Sequence, residues 1–447
     1  MKKLARILSV LLAISLAAGL TPASAFAQGN GKALQMKTAP ICDPSVTSHA
    51  TYGDAFHPKS YIYFGNNSGS PVKWRVLDAD KNNVGNDGMF LLSEYTLVSG
   101  IVFEAAWNTD DHDGQTRVNE YQHSDLQKWF ASNLGNYFSA GEQSVMVGVA
   151  KTDPAEKVFV IPWYEGSRLT PADKWFPLSA MELHDYVANS DINSYHLFIA
   201  KNGENGTDQD WWLRSPFFPN LDATENPEAG YAMEYGFISA SRVSDAYAIR
   251  PAFNLDRNAV LMTSAAVNGK VSQNDGTLTE IPDTDTRDWK VTILDKSRDF
   301  YIVEDSVYGK PGSTVTLTYK NATTGANEYI SVLLVGSNGE THYGRVLQLS
   351  AKDGKVQVAI PELPEGSYVL RFYNEQYNGD RMTDFGSAFD DVTLYTTDKP
   401  NPGIPGEPGI PMPPQTGDGA SLGLWLTLCL ISFASVTLVL RSKKRRM

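Results

Sequence analysis

The chain has 447 residues and a formal net charge of −13, and a length of this order predicts two or three folded domains. The acidic balance excludes nucleic acid and other polyanions as favoured partners, because like charges repel. Cys429 falls in a C-terminal apolar run, which leaves Cys42 without a partner, so no intrachain disulfide is expected.

The first 27 residues have the pattern of a secretory signal peptide. Three basic residues precede an apolar stretch, residues 7–20, and the small residues Ala25 and Ala27 offer cleavage sites. We therefore expect an exported, extracellular protein. The next segment, residues 28–54, is polar and unpatterned, and we expect it to be extended.

A small antiparallel sheet is predicted to begin near residue 60. Three short runs are rich in β-branched and aromatic residues: 61–65, 72–77 and 89–93. Turn-forming residues separate these runs, at 66–69 and at 86–88. The pattern is typical of strands joined by tight connections.

Two helices are predicted after this sheet. Ser124 precedes Gln127 by three residues, and Ser179 precedes Glu182 by three, which is the spacing of an N-terminal capping box. Apolar residues follow each box at helical spacing, so both helices are expected to pack on the sheet. Residues 55–280 are therefore predicted to form an α+β domain.

Four motifs mark this region. They are Trp-Arg-Val-Leu at 74–77, Ser-Asp-Leu-Gln-Lys-Trp at 124–129, Trp-Trp-Leu-Arg-Ser-Pro at 211–216 and Arg-Pro-Ala at 250–252. Together they resemble a large family of uncharacterised domains in secreted and wall-attached proteins of Firmicutes. The tryptophan pair and the Arg-Pro pattern are also similar to C-type-lectin-like and formylglycine-generating-enzyme folds. The resemblance implies a C-type-lectin-like fold; formylglycine chemistry needs paired cysteines and is not expected.

Residues 289–396 predict an all-β domain. Apolar residues alternate along three runs: 313–319, 355–360 and 366–372. Ser337–Glu340 lies between two further runs and is a hairpin signal. Six or seven short strands in about a hundred residues predict a β-sandwich. The pattern resembles the immunoglobulin-like modules of bacterial surface proteins.

The Pro/Gly-rich composition of residues 397–412 predicts an extended, disordered spacer. Three parts follow this spacer at the end of the chain. Pro413, Pro414, Gln415, Thr416 and Gly417 form a pentapeptide. An apolar run at 422–440 follows, long enough for a transmembrane helix across a hydrocarbon core of about 30 Å, and a basic tail ends the chain.

This arrangement, residues 413–447, resembles the cell-wall sorting signal of Gram-positive surface proteins. Pro413 stands where that family has leucine. The resemblance implies that a sortase cleaves between Thr416 and Gly417 and joins the chain covalently to peptidoglycan, with the precursor held in the cell membrane. A plain C-terminal membrane anchor is the alternative.

Two acidic loops are candidates for a calcium site. Asp111, Asp113 and Glu120 fit three positions of a calcium-loop template, although Thr109 is a poor ligand at the first position. Asp208 and Asp210 lie in a second acidic loop. Calcium is therefore the candidate cofactor, and a solvated acidic loop is the other interpretation.

Aromatic residues around the third motif are the candidate ligand-binding residues. They are Trp211, Trp212, Phe217, Phe218, Tyr231 and Tyr235. Aromatic faces stack on sugar rings, whereas a tryptophan pair beside an arginine is also typical of a buried core. The insert after the motif is the more favoured surface, since loops carry recognition more often than scaffolds do.

The expected function is binding or adhesion at the cell surface, to a glycan or to a host or cell-surface protein. The sequence has no His-Glu-x-x-His, no Gly-x-Ser-x-Gly and no phosphate loop after a strand, so no catalytic residue is predicted. An extracellular carbohydrate- or wall-acting hydrolase with paired carboxylates stays open as an alternative, as does a structural module of a surface assembly.

Overall fold

The computed structural model describes residues 31–38, 60–107, 118–122, 124–154, 156–158, 161–163, 167–187, 199–217 and 227–398. Most of these residues lie in β-strands or in the turns that join them. The predicted signal peptide, the pentapeptide and the apolar run at 422–440 lie outside the described residues. Within the described part of the chain, no helix is both long and apolar enough to cross a membrane.

The described residues up to Ala265 contain nineteen short strands. They are β1 (Gly31–Lys32), β2 (Leu34–Met36), β3 (Tyr61–Asn67), β4 (Ser70–Asp78), β5 (Met89–Ser93), β6 (Val98–Val102), β7 (Lys151–Thr152), β8 (Glu156–Val158), β9 (Ile161–Trp163), β10 (Arg168–Leu169), β11 (Trp175–Pro177), β12 (Ala200–Lys201), β13 (Asp208–Gln209), β14 (Trp211–Phe217), β15 (Glu228–Ala232), β16 (Ile238–Arg242), β17 (Ala246–Ile249), β18 (Pro251–Leu255) and β19 (Val260–Ala265). The predicted strands near 61–65, 72–77 and 89–93 are confirmed as β3, β4 and β5, which pair antiparallel.

Three α-helices interrupt these strands in the part of the chain that the structure describes: α1 (Asp125–Tyr137), α2 (Ala140–Val145) and α3 (Ala180–Glu182). The Ser124 hydroxyl accepts a hydrogen bond from the Gln127 amide, as predicted for the start of α1. Ser179 and Glu182 form a complete capping box, but the helix that they begin is short and continues as a π-helical turn, Leu183–Val187. Strands therefore predominate among the described residues of this region, and helices make up a small part of it.

The remaining strands follow residue 278. They are β20 (Thr279–Glu280), β21 (Asp283–Thr284), β22 (Asp288–Leu294), β23 (Tyr301–Ile302), β24 (Ser306–Tyr308), β25 (Thr314–Lys320), β26 (Glu328–Gly336), β27 (Gly339–Gln348), β28 (Gly354–Ala359), β29 (Ser367–Gln376), β30 (Asp384–Gly386) and β31 (Asp390–Tyr395). The predicted hairpin is confirmed, since Gly336 pairs with Gly339 across a two-residue turn.

Two sheets enclose the core of this second part. One contains β24, β31, β29, β26 and β27, and the other contains β23, β25 and β28. Leu317 of β25, Val358 of β28 and Phe372 of β29 are buried in one hydrophobic cluster between them. Their alternation with exposed residues is the reason that each strand folds with one face inward.

The strand β22 joins the two parts of the fold. It pairs in parallel with β3 and with β30, and antiparallel with β19. Its residues Trp289, Val291 and Ile293 are buried in the hydrophobic cluster of the first part. The domain boundary near residues 280–289 stays a prediction. The strand β22 forms hydrogen bonds both with strands that precede this boundary in the chain and with one that follows it.

A substitution on β25 tests the assignment of faces. Replacing Leu317, which is 1% exposed, with alanine removes buried methyl groups and leaves a cavity, so the free energy of unfolding is expected to fall by about 2–5 kcal/mol. The adjacent side chain of Thr316 points to solvent, and Thr316→Ala is the matched control with little effect. Urea denaturation followed by circular dichroism measures both. An equal decrease in the free energy of unfolding in both variants would contradict the assignment of Leu317 to the buried face and of Thr316 to the exposed face.

Candidate functional site

A buried network of charges lies at the centre of the first part of the fold. Arg214 is fully buried on β14, and its guanidinium donates to a carboxylate oxygen of Glu182 and, at 2.8 Å, to Asp153. Lys151 donates to the other oxygen of Glu182 at 2.7 Å and lies 3.3 Å from Asp153. Two cations thus face two carboxylates, so the buried charges balance.

Glu182 has a second role in this network. The oxygen that binds Arg214 also accepts the backbone amide of Ser179 at 3.1 Å, which is the helix cap. The other oxygen accepts the side-chain amide of Asn83 at 2.8 Å, and Asn83 in turn bonds to Asn254 on β18. One carboxylate therefore holds the start of α3, the loop before β5 and the central strand β14 together.

The electrostatics of Glu182 follow from these contacts. Burial alone raises the pKa of its carboxyl, but the charges of Arg214 and Lys151 outweigh burial and hold that pKa well below the ordinary value. The same pairing raises the pKa of Arg214 despite the cost of its burial. Glu182 is therefore ionised in the folded protein, and breaking the pair would leave an isolated charge in the core.

Arg250 occupies the opposite face of β14. Its guanidinium lies 5.1 Å from the ring of Trp211, and its Nε donates to the Ser93 carbonyl at 2.9 Å. Trp211 and Trp212 are each fully buried. The prediction of these two tryptophans as ligand contacts is therefore corrected: they carry no exposed surface, because Arg250 packs on Trp211, and Phe103 and Tyr247 pack on Trp212.

The sheet β16-β15-β14-β17-β6 carries stacked aromatic rings above Trp212. Tyr231 of β15 and Tyr247 of β17 stack with their ring centroids 4.6 Å apart and an angle of 2°. Tyr247 also packs edge-on against Trp212 at 4.8 Å, and its hydroxyl donates to Ser241 at 3.0 Å. We call Trp212, Tyr231 and Tyr247 the aromatic stack; Tyr247 lies between the other two rings and is half-buried, whereas Tyr231 and Trp212 are buried.

The turn between β15 and β16 extends this surface. It reverses through Gly236, which has a φ of 85° and lies in the left-handed region that favours glycine. The turn exposes two large side chains, Tyr235 at 68% and Phe237 at 47%. We call residues Met233–Phe237 the aromatic hairpin. An exposed hydrophobic surface of this kind indicates a contact site.

Carboxylates border the aromatic hairpin. Asp210 accepts the backbone amide of Glu234 at 2.6 Å, which fixes the start of the turn. Asp208 is exposed on β13, just before Asp210 in the chain. In the described part of the chain, no three of His, Cys, Asp and Glu lie close enough together to hold a metal ion, so Asp208 and Asp210 make no such group there.

The other predicted site residues lie elsewhere. Asp111, Asp113 and Phe218 fall outside the described residues. Glu120 is half-buried on the segment before α1, and Phe217 is half-buried at the end of β14, where its carbonyl accepts the Asn119 side-chain amide at 3.2 Å. The calcium loop at Asp111 and Asp113 stays a prediction.

Tyr247, Phe237 and the carboxylate of Asp153 are not among the site residues predicted from the sequence. Tyr247 lies three residues before the Arg-Pro-Ala motif. Its closeness to that motif could have indicated that it belongs to the same site as the tryptophan pair. Gly236 is a turn signal that would have placed Phe237 at a hairpin tip. No local pattern indicated Asp153, because it meets Arg214 across 61 residues of sequence.

A cleft of about 850 Å³ lies beside α1 and α2, against residues 293–296 and 376–385. Its three acidic residues are engaged in hydrogen bonds. Glu142 accepts the Gly65 amide at 2.9 Å and the Thr383 hydroxyl at 2.7 Å, while Asp256 and Asp295 accept amides two residues further along the chain. These carboxylates therefore hold local structure, which does not favour them as a hydrolytic pair.

Comparison with known proteins gives one family match. A model described as a domain of unknown function, DUF6273, matches residues 86–257, which include the buried network, the aromatic stack and the aromatic hairpin. No curated protein matches the chain. Among solved structures, that of a cellulose-active LPMO, CelS2, in complex with copper has a TM-score of 0.15 and 10% identity, and the match covers 21% of this chain and 54% of that chain. A similarity with so low a TM-score supports no inference about the fold or the function of this chain.

Removing the charge of Glu182 tests the buried network. In Glu182→Gln, Arg214 and Lys151 lose a buried counter-charge, and the free energy of unfolding at pH 7 is expected to fall by about 3–5 kcal/mol. The folded-state pKa of Glu182 is depressed, so its stabilisation is present above about pH 4.3 and is lost as the pH falls through the folded-state pKa.

Thermal or urea unfolding between pH 3 and pH 7 measures this dependence. The difference in the free energy of unfolding between the wild-type protein and Glu182→Gln should become smaller toward low pH. Glu365→Gln, at an exposed position, is the matched control, and its free energy of unfolding should equal that of the wild-type protein. A gap that stays constant over this range would contradict the role of the Glu182 charge.

Proposed function

We propose that the protein is displayed on the cell surface and binds a glycan through the aromatic hairpin. The observation that carries the proposal is the exposure of Tyr235 and Phe237 on one turn, which directly follows the strand of the stacked Tyr231. Tyrosine supplies both an apolar ring and a hydroxyl, which suits a ligand with apolar and hydroxylated faces. Hydrogen-bonding groups of Asp210 and Ser241 lie beside these rings.

The chemistry of this surface favours a sugar over a flat protein interface. The exposed rings are few and lie beside carboxylates and hydroxyls, whereas standard protein interfaces bury about 800 Å² per partner around an apolar centre. A host or cell-surface protein is the second ligand class. The hydrolase alternative is less favoured, because the acidic residues of the cleft already accept hydrogen bonds from neighbouring groups.

The display part of the proposal comes from the two ends of the sequence. The signal peptide pattern at residues 1–27 supports export, and the pentapeptide, apolar run and basic tail at 413–447 support anchoring by a sortase to peptidoglycan. We further propose that residues 55–280 are a lectin-like domain and that residues 289–396 are an immunoglobulin-like sandwich carrying it. The proline-rich segment at 397–412 would then be the spacer within the wall.

A glycan array probed with the purified protein tests the binding proposal. Tyr235→Ala and Phe237→Ala are each expected to weaken binding to the selected glycan by about tenfold or more, because each removes an exposed contact of more than about 1 kcal/mol. Tyr308→Ala, an exposed aromatic of the second part of the fold, is the matched control. Unchanged affinity in both hairpin variants would contradict the site; hydrolysis of a polysaccharide without binding would favour the enzyme alternative.

The anchoring proposal has its own test. Muramidase digestion of cell walls is expected to release chains that end at Thr416 and carry a covalent peptidoglycan fragment. Thr416→Ala should abolish this product, because the scissile carbonyl would no longer be presented by the motif residue. Mass spectrometry of the released C-terminal peptide identifies the product. Recovery of wild-type chains with Gly417 and the following residues still attached would contradict sortase processing.

A further inference from the structure

A second buried cluster of charges lies where the two parts of the fold meet, against the joining strand β22. Lys270, Glu375 and Asp384 have fully buried side chains. The ammonium of Lys270 lies 2.7 Å from Oδ2 of Asp384 and 2.5 Å from Oε1 of Glu375. Lysine is rarely buried to this degree, so the arrangement needs an explanation.

The three residues come from separate elements. Lys270 follows β19, Glu375 lies near the end of β29, and Asp384 begins β30. Lys270 and Asp384 are 114 residues apart in the chain. The pairing of β30 with both β22 and β29 holds Asp384 in place, so that the amine and the carboxyl meet with little freedom.

We propose that Lys270 and Asp384 form an intramolecular amide bond, assisted by Glu375. In this step the Lys270 nitrogen attacks Cγ of Asp384, the new C–N bond replaces the Cγ–Oδ2 bond, and Oδ2 leaves as water. An ammonium and a carboxylate together contain the atoms of one amide and one water molecule. The step therefore needs neither an oxidant nor a cofactor.

Glu375 is placed to move the protons. At 2.5 Å from Lys270 it accepts a proton from the attacking nitrogen and returns it to the departing oxygen. Its other oxygen accepts the hydroxyls of Tyr343, at 2.6 Å, and of Ser331, which hold the carboxylate in position. Because Cγ is one covalent bond beyond Oδ2, the nitrogen is close to the separation of roughly 3–3.5 Å that characterises near-attack geometry.

The surroundings of Asp384 stabilise the charge that develops on it. The backbone amide of Asn378 donates to Oδ1 at 2.9 Å, and the ammonium of Lys290 lies 2.8 Å from Oδ2. Donors in a dry site that point at both carboxylate oxygens favour the tetrahedral intermediate. Oδ1 then stays as the amide carbonyl oxygen and keeps its bond from Asn378.

Two amines contact Asp384, and the geometry selects Lys270 as the nucleophile. Lys290 donates to the Gly379 carbonyl and lies 4.5 Å from the ring of Tyr377, whereas Lys270 lies 2.5 Å from the carboxylate of Glu375, which can act as its base. Condensation also removes one buried cation and one buried anion from the core. Burial of a charge raises the free energy of the folded protein, so the buried site favours the neutral amide over the separate ammonium and carboxylate.

The bond would close a covalent loop over most of the second part of the fold. A chain pulled from its C-terminal side could then not extend residues 271–383, because the crosslink bypasses them. This gives a protein without an intrachain disulfide a covalent brace. The proposed amide bond is independent of the proposed glycan binding, so an experiment can contradict either proposal without affecting the other.

Intact-mass spectrometry of the purified, denatured protein tests the proposal. The expected mass is lower than that of the sequence between its determined ends by one water molecule, and tryptic digestion should yield a branched peptide joining Lys270 to Asp384. In Lys270→Arg the mass deficit is expected to disappear. In Glu375→Gln, a variant of the same shape, the crosslinked fraction should fall at least tenfold at a fixed time after synthesis.

Asp384→Asn is the matched variant that retains reactivity. Its amide loses ammonia in place of water, so the crosslinked chain is expected to have the same mass as the crosslinked wild-type protein. Circular dichroism establishes that each variant is folded. A wild-type protein with the full sequence mass and no branched peptide would overturn the proposal, and a branch at Lys290 would overturn the assignment of the nucleophile.

Discussion

The ion pair between Arg214 and Glu182 is the interaction on which the first part of the fold depends. Glu182 caps α3, accepts the side chain of Asn83 and neutralises a guanidinium that is fully buried on the central strand β14. A buried charge without its partner is costly, so these contacts specify one arrangement of three chain segments. Trp212 of the aromatic stack lies on the same strand, so this arrangement sets the position of the ring on which Tyr247 packs.

The two parts of the fold share a principle: charged side chains in the core are paired and hydrogen-bonded. In the first part, the pairing fixes β14, on which Trp212 supports the stacked tyrosines. Where the two parts meet, Lys270 and Lys290 face Glu375 and Asp384 in a dry site, so the buried charges balance. The first network supports the proposed recognition surface. The second, through the inferred bond, would resist extension of the chain.

Local sequence signals predicted much of the fold. Alternation predicted the buried faces of β25 and β28, and capping residues predicted the starts of α1 and α3, because each depends on neighbours in sequence. The pairing of β22 with β3 and β30 was not predictable in this way, since it joins distant segments. For the same reason, the sequence left two interpretations of Trp211 and Trp212, ligand contacts or a buried core beside an arginine, and tertiary packing buries both. The exposed Tyr235 was identified, but its neighbour Phe237 was not.

The central claim is that the buried charge network holds the sheet that carries the aromatic hairpin. Hydrogen exchange of backbone amides in β14 and β15, in wild-type protein and in Arg214→Met, tests it most directly. The account predicts that exchange in both strands accelerates strongly in the variant, while β25 and β28 keep their protection. Unchanged protection of β14 and β15 would contradict the account.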